Sequence, residues 1–136
     1  MNIDTIAKIE HFSAFVDLSL QDFCEQFRQV LKLPQMTFDN ENETEWAEVN
    51  FNGINYNVSK PFEIGTLNNW DDLVPENHNF GIVLSINKSN TEFKKPELEE
   101  MASLLSNHFN VDILYYRTWF STGFNTEKAQ IFTSKN

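Results

Sequence analysis

The sequence predicts an α+β, two-layer sandwich: an antiparallel-rich sheet of four to six strands with two helices on one face. Three observations predict it. A capped apolar stripe with helical spacing follows Ser19, an Asn-Gly pair centres a hairpin over residues 46–59, and a second helix opens near Pro96 between two β-rich runs. The implied order is β-α-β-β-β-α-β within one domain spanning 1–136, with 124–136 as a flexible tail or an edge strand.

The first strand is expected over 9–17, where Phe12, Ala14 and Val16 alternate. Ser19 can cap the helix that follows. Asp22 stands three residues on, as in a capping box, and Leu18 and Phe23 are spaced as a hydrophobic staple. Leu20, Phe23, Cys24, Phe27, Val30 and Leu31 fall on one helical face, and Pro34 is the expected stop.

In the hairpin, Asn52-Gly53 suits a two-residue type I′ turn because both positions need positive φ. That turn sets Phe51 opposite Ile54, Val49 opposite Tyr56 and Ala47 opposite Val58, all on one face. Trp46, Glu48, Asn50, Asn55 and Asn57 take the other, partly polar face, which is left for solvent or a partner.

Residues 60–79 hold two Pro, one Gly and several Asn, so a long loop is expected, with a helical turn near Trp70–Leu73. Phe80, Ile82, Leu84 and Ile86 alternate in a further strand. The second helix runs from about Pro96 to Phe109, with Glu97, Glu99 and Glu100 near its positive end. Leu98, Met101, Ala102, Leu105 and Phe109 form its stripe, and Asn110 resembles a C-cap. Val111–Trp119 is the last clear strand, and Ala129–Thr133 can add one at an edge.

The chain has 136 residues, 40% of them hydrophobic, with 13 Phe, 3 Trp and 3 Tyr to build a core. A domain of this size buries roughly 68% of its unfolded surface and needs no staples. A lone cysteine, no continuous apolar leader in the first residues and no membrane-length apolar run imply a cytoplasmic protein. The net charge is −10, and it is unevenly spread. Residues 33–87 carry nine acids against Lys60 alone, giving −8. Such a field repels phosphates, which argues against direct nucleic-acid binding, and it attracts a basic protein surface. It also serves plain solubility.

Chemistry-bearing groups are scattered. Cys24 lies on the apolar stripe of the first helix and reads as a core residue. His11, His78 and His108 sit on a strand, a loop and a helix without zinc-site spacing. His78 is expected to face solvent. The adjacent carboxylates Asp71-Asp72 and Glu99-Glu100 do not face each other across a substrate, and the run 39–48 lacks the form of a calcium loop. No catalytic residue, metal ligand or cofactor is assigned. Two acidic segments each hold a tryptophan: Asp39, Glu41, Glu43, Glu45 and Trp46 in the first, Trp70, Asp71, Asp72 and Glu76 in the second. Aromatic anchors ringed by acids suit a basic partner, the ring filling a pocket while the charges speed association. The competing reading packs both rings onto the domain's own core.

The stretch IEHFSAFVDLSLQDFCEQFRQVLKLP, with a strand running into DLSLQDF and a helix closing at LKLP, is similar to the opening of small immunity proteins. These are encoded beside bacterial polymorphic or contact-dependent growth inhibition toxins. The resemblance is one of element order and covers about two thirds of the chain. It implies a cytoplasmic protein that neutralises a cognate, basic, nuclease-type toxin by covering its active site or substrate surface. A secretion-type chaperone and a small ligand-binding or enzymatic domain using the cleft near 60–79 are the alternatives.

Overall fold

The computed structural model describes residues 6–87, 95–119, 125–126 and 128–135; positions 124, 127 and 136 of the expected tail lie outside them. The chain forms strand β1 (Ile6–Ala14), helix α1 (Leu20–Leu31), β2 (Thr37–Asn40), β3 (Thr44–Phe51), β4 (Ile54–Pro61) and the short helix α2 (Thr66–Trp70). It continues with β5 (Phe80–Asn87), α3 (Lys95–Phe109), β6 (Ile113–Trp119), β7 (Asn125–Thr126) and β8 (Gln130–Phe132). The fold is α+β, and every strand pairing in its single sheet is antiparallel.

The spatial order is β2-β3-β4-β5-β1-β6, with β7 and β8 lying one after the other along the free side of β6. Among the described residues this makes eight strands, more than the four to six that the sequence suggests. The additions are short. β2 has all four residues exposed and no apolar alternation, so only its ladder to β3 marks it as a strand.

Local signals place the rest. Ser19 Oγ accepts from the Asp22 amide at 3.1 Å, as an N-cap should. The helix ends on Lys32, which is left-handed (φ 59°) and donates its backbone N–H back into the last turn, before Pro34 is reached. Asn52 and Gly53 both have positive φ (52° and 78°), and the register is Phe51↔Ile54, Val49↔Tyr56, Ala47↔Val58. Asn110 is left-handed beyond α3 (φ 56°).

The core lies between α1, α3 and one face of the sheet. Alternate residues Phe12 and Ala14 of β1, Ala47 of β3, Ile54, Tyr56 and Val58 of β4, and Phe80, Ile82, Leu84 and Ile86 of β5 are all buried there. Phe23 of α1 is its hub: its ring stacks on Phe80 (4.1 Å), Phe109 (4.7 Å) and Phe27 (5.9 Å). Cys24 beside it is buried, and burial pushes its thiol up to about 12, which keeps it protonated and unreactive.

One charged pair shares this face. Glu10, opposite both Leu84 and Arg117, is fully buried, and Arg117 is 4% exposed. The guanidinium grips the carboxylate with two bonds of 2.7 Å, and the Tyr115 hydroxyl adds a third at 3.1 Å. Burial beside that carboxylate holds the Tyr115 phenol well above its ordinary range. Among the described residues no buried side-chain nitrogen or oxygen lacks a partner. A complete network tolerates burial, whereas a broken one does not. Arg117→Met is therefore expected to lower unfolding free energy by on the order of 3–5 kcal/mol, and adding Glu10→Leu to recover much of it. Urea unfolding of the parent, both single variants and the double variant tests this. A cost for Arg117→Met below about 1 kcal/mol, typical of an exposed pair, contradicts it.

Candidate partner-binding site

The second face of the sheet is set by the same alternation. Where the core strands turn Phe12, Val58 and Ile82 inward, their neighbours point the other way. Across the strands the register aligns two rows: Asp39, Trp46, Ser59, Gly81, Ser13 and Leu114, then Thr37, Glu48, Asn57, Val83, His11 and Tyr116. The β2–β3–β4 end of both rows is polar apart from Trp46.

Residues 62–79 fold back over the other end as a strap. Its root is joined to the β2–β3 turn, where the Phe62 amide donates to Glu43 O at 3.0 Å. Gly65, with φ 94°, leads into α2, a conformation that side-chain-bearing residues rarely adopt. Leu67 of α2 then lies directly over Gly81, where a Cβ would meet Leu67 Cδ2 at 3.2 Å. A side chain at this position would press on Leu67, which accords with a glycine inside a central strand.

Polar tethers fix the strap's far end. The Asn79 side chain clamps Val16, accepting from its N–H at 2.9 Å and donating to its C=O at 2.8 Å. The Asn79 amide donates to Ala14 O at 3.0 Å. Ser13 Oγ and His78 Nδ1 share a hydrogen bond of 2.9 Å, and His78 is only 8% exposed. The expectation that His78 faces solvent is thus corrected: its loop is docked, and the imidazole satisfies a serine that points out of the sheet. Within the strap Asn68 Nδ2 donates to Val74 O at 2.7 Å, and Asp71 Oδ1 accepts from the Leu73 amide at 3.0 Å. The other oxygen, Asp71 Oδ2, accepts from the Tyr116 hydroxyl, and the Tyr116 ring stacks on His11 at 4.3 Å.

Between strap and sheet remains an open pocket of about 250 Å³. Its floor is His11, Ser13, Ser59, Gly81, Val83 and Tyr116; its overhanging wall is Leu67, Trp70, Asp71 and Val74. Trp70 is 51% exposed at this wall. Three more large apolar side chains of the strap, Phe62 (54%), Ile64 (62%) and Leu73 (44%), stand open to solvent. Acids are interleaved with them: Glu63, Asp72 and Glu76 are exposed, and Asp71 is partly buried.

The residues singled out from sequence divide accordingly. Trp46 is partly buried and shares the strap's face with exposed Asp39. Glu41 and Glu43 are exposed in the turn that meets the strap's root. Glu45 alternates onto the helix side, opposite Lys60, where its charge reaches Cys24. Trp70, Asp71, Asp72 and Glu76 belong to the strap itself. The helical turn expected near Trp70–Leu73 falls earlier: α2 spans Thr66–Trp70, and the chain leaves it at Asp71. Sequence reading missed Phe62, Ile64 and Leu73, because isolated apolar residues in a loop carry no periodicity. It also missed His11, Ser59, Val83 and Tyr116, whose places on the strap's face follow from the register once the strands are paired.

What the site can do chemically is limited by access. Ser13 and His78 form a donor–base pair, but they are 3% and 8% exposed and tie the strap down. Among the described residues no group of three or more His, Cys, Asp or Glu is placed to hold a metal ion. No described helix is long and apolar enough to cross a membrane. The fold and site define an α+β protein with one helix-covered face and one strapped, acidic face. Comparison with known proteins returns no matching family model, no similar curated protein and no similar solved structure.

The histidines give the site a pH signature. Burial lowers His11 to about 4 against the opposing pull of Asp71, and burial likewise lowers His78 against Asp112. Because the folded state holds both rings neutral, the unfolded chain takes up protons first as pH falls. Their stabilising effect is complete above the unfolded value of 6.5 and, for His11, is lost between 6.5 and about 4. The His11 share is on the order of 3 kcal/mol. Thermal melts at half-unit pH steps are expected to show Tm falling across that window. His11→Phe, which keeps a ring against Tyr116, is expected to shallow the slope; an unchanged slope contradicts the assignment.

Proposed function

We propose that this protein binds a basic protein through its strapped face, as an immunity protein that neutralises a cognate bacterial toxin. One observation carries the reading: four large apolar side chains, Phe62, Ile64, Trp70 and Leu73, stand exposed on a single tethered strap among acids. Exposed apolar residues scattered singly need no explanation, but four carried by one twelve-residue segment among acids favour a partner. The apolar centre supplies affinity, while the −8 of residues 33–87 raises the encounter rate and selects for positive charge. The resemblance of residues 9–34 to the opening of small immunity proteins supports the same reading.

A ligand-binding or enzymatic domain is the second reading, favoured by the pocket itself. It is weakened by scale. At about 250 Å³ the pocket lies below the roughly 300–1,000 Å³ of sites for drug-sized ligands.

Co-expression with the product of the adjacent gene tests the proposal. A stable complex is expected, together with rescue of growth from that gene's toxicity. In calorimetry Trp70→Ala is expected to weaken binding by roughly 30-fold or more, corresponding to at least about 2 kcal/mol at an interface hot spot. Asp72→Lys with Glu76→Lys is expected to slow association at low salt and to leave dissociation nearly unchanged. A harmless neighbour and no captured basic protein would sink the immunity reading. A complex indifferent to salt and to Trp70 would move the interface elsewhere.

A further inference from the structure

We infer that the pocket between strap and sheet is a socket for the guanidinium of an arginine side chain, presented by the basic partner. The inference rests on the partner reading above and deepens it by naming the chemistry that the partner brings.

Size is the first argument. A pocket of about 250 Å³ is too small for a nucleotide or an extended cofactor but holds one long side chain. Its walls decide which. Trp70 and Tyr116 give it aromatic surfaces, and Leu67, Val74 and Val83 line it with hydrocarbon. Such walls suit the planar, weakly hydrated guanidinium and its apolar stem better than a compact, strongly hydrated ammonium.

Asp71 is the counter-charge and the only carboxylate in the lining. It is positioned before any partner arrives, with one oxygen held by the Tyr116 hydroxyl and the other by the Leu73 amide. A carboxylate has about four lone-pair sites, so two remain for a guanidinium fork. Nothing in the pocket opposes a cation: its one imidazole, His11, is kept neutral at pH 7 by burial. The exposed acids Glu63, Asp72 and Glu76 flank the strap and add a long-range pull without occupying the socket.

The test is an NMR titration of the intact protein with three blocked tripeptides, acetyl-Gly-X-Gly-amide, where X is arginine, lysine or citrulline. The indole N–H of Trp70 and the ring protons of Tyr116 are the reporters. Saturable shifts with arginine, weaker binding of lysine and none of citrulline are expected. Asp71→Asn keeps the shape and removes the charge, and is expected to weaken arginine binding by roughly tenfold or more, in line with a hydrogen bond to a charged group. Val83→Phe fills the floor and is expected to abolish binding. Ser59→Phe does the same from the adjoining strand, should the first variant fold poorly.

Equal binding of citrulline, or indifference to Asp71→Asn, overturns the socket. If the arginine peptide fails to bind while the co-expressed toxin is still captured, the socket falls and the partner reading survives. If the peptide binds through Asp71 and no basic protein is ever captured, the partner-borne source falls, and the guanidinium belongs to a free small molecule.

Discussion

The register between β1 and β5 is the constraint on which the molecule depends. Phe12 opposite Ile82 and Ala14 opposite Phe80 put the apolar set of both central strands under the helices. The same register necessarily puts Ser13 opposite Gly81 and His11 opposite Val83 on the far side. A one-residue slip would exchange the two faces. It would press His11 and Ser13 into the aromatic core around Phe23 and expose Phe12 and Ile82. Bulk and polarity thus fix the strand pairing, and the pairing fixes the floor of the pocket.

The two faces are then held by different physics. Between helices and sheet the binding is mostly area: stacked rings around Phe23 and an unbroken row of aliphatic residues on β5. Under the strap it is mostly directional. Asn79 on Val16, His78 on Ser13 and Asp71 on Tyr116 are discrete polar contacts, joined by the apolar contact of Leu67 over Gly81. Each hydrogen bond contributes only about 1 kcal/mol net, so the strap is the cheaper of the two layers to open. A surface with several fixed tethers nevertheless meets a partner with little ordering cost, which is the advantage of a preorganised interface.

Much of this was legible in the sequence where the cause is local. Asn52-Gly53 dictates its turn through backbone chirality, and the hairpin register follows residue by residue. Ser19 with Asp22 likewise dictates the start of α1. β2 was not legible because its four residues have no buried face to create a pattern. The docking of the strap was not legible for a different reason: its contacts join residues 63 apart for Asn79 and Val16, and 65 apart for Ser13 and His78. Nothing in the local sequence of Glu-Asn-His-Asn distinguishes a docked loop from a free one. Gly81 was the available clue, since a glycine inside an otherwise alternating aliphatic strand signals the close approach of another element.

The acids and the exposed apolar groups of the strap explain each other better together than apart. Exposed apolar groups alone invite self-association. The strap's own acids, Glu63, Asp71, Asp72 and Glu76, within a segment of net −8 over residues 33–87, make two copies repel as their straps approach. The repulsion acts within about 8–10 Å at physiological salt, which is the distance at which encounter pairs sort themselves. The charge that lowers the risk of self-pairing raises the encounter rate with a positive surface, so a single arrangement excludes like and selects unlike. Solubility and the proposed recognition are therefore not rival accounts of the −10. Under the proposed reading they are one electrostatic property acting on two different approaching surfaces, a second copy and a basic protein.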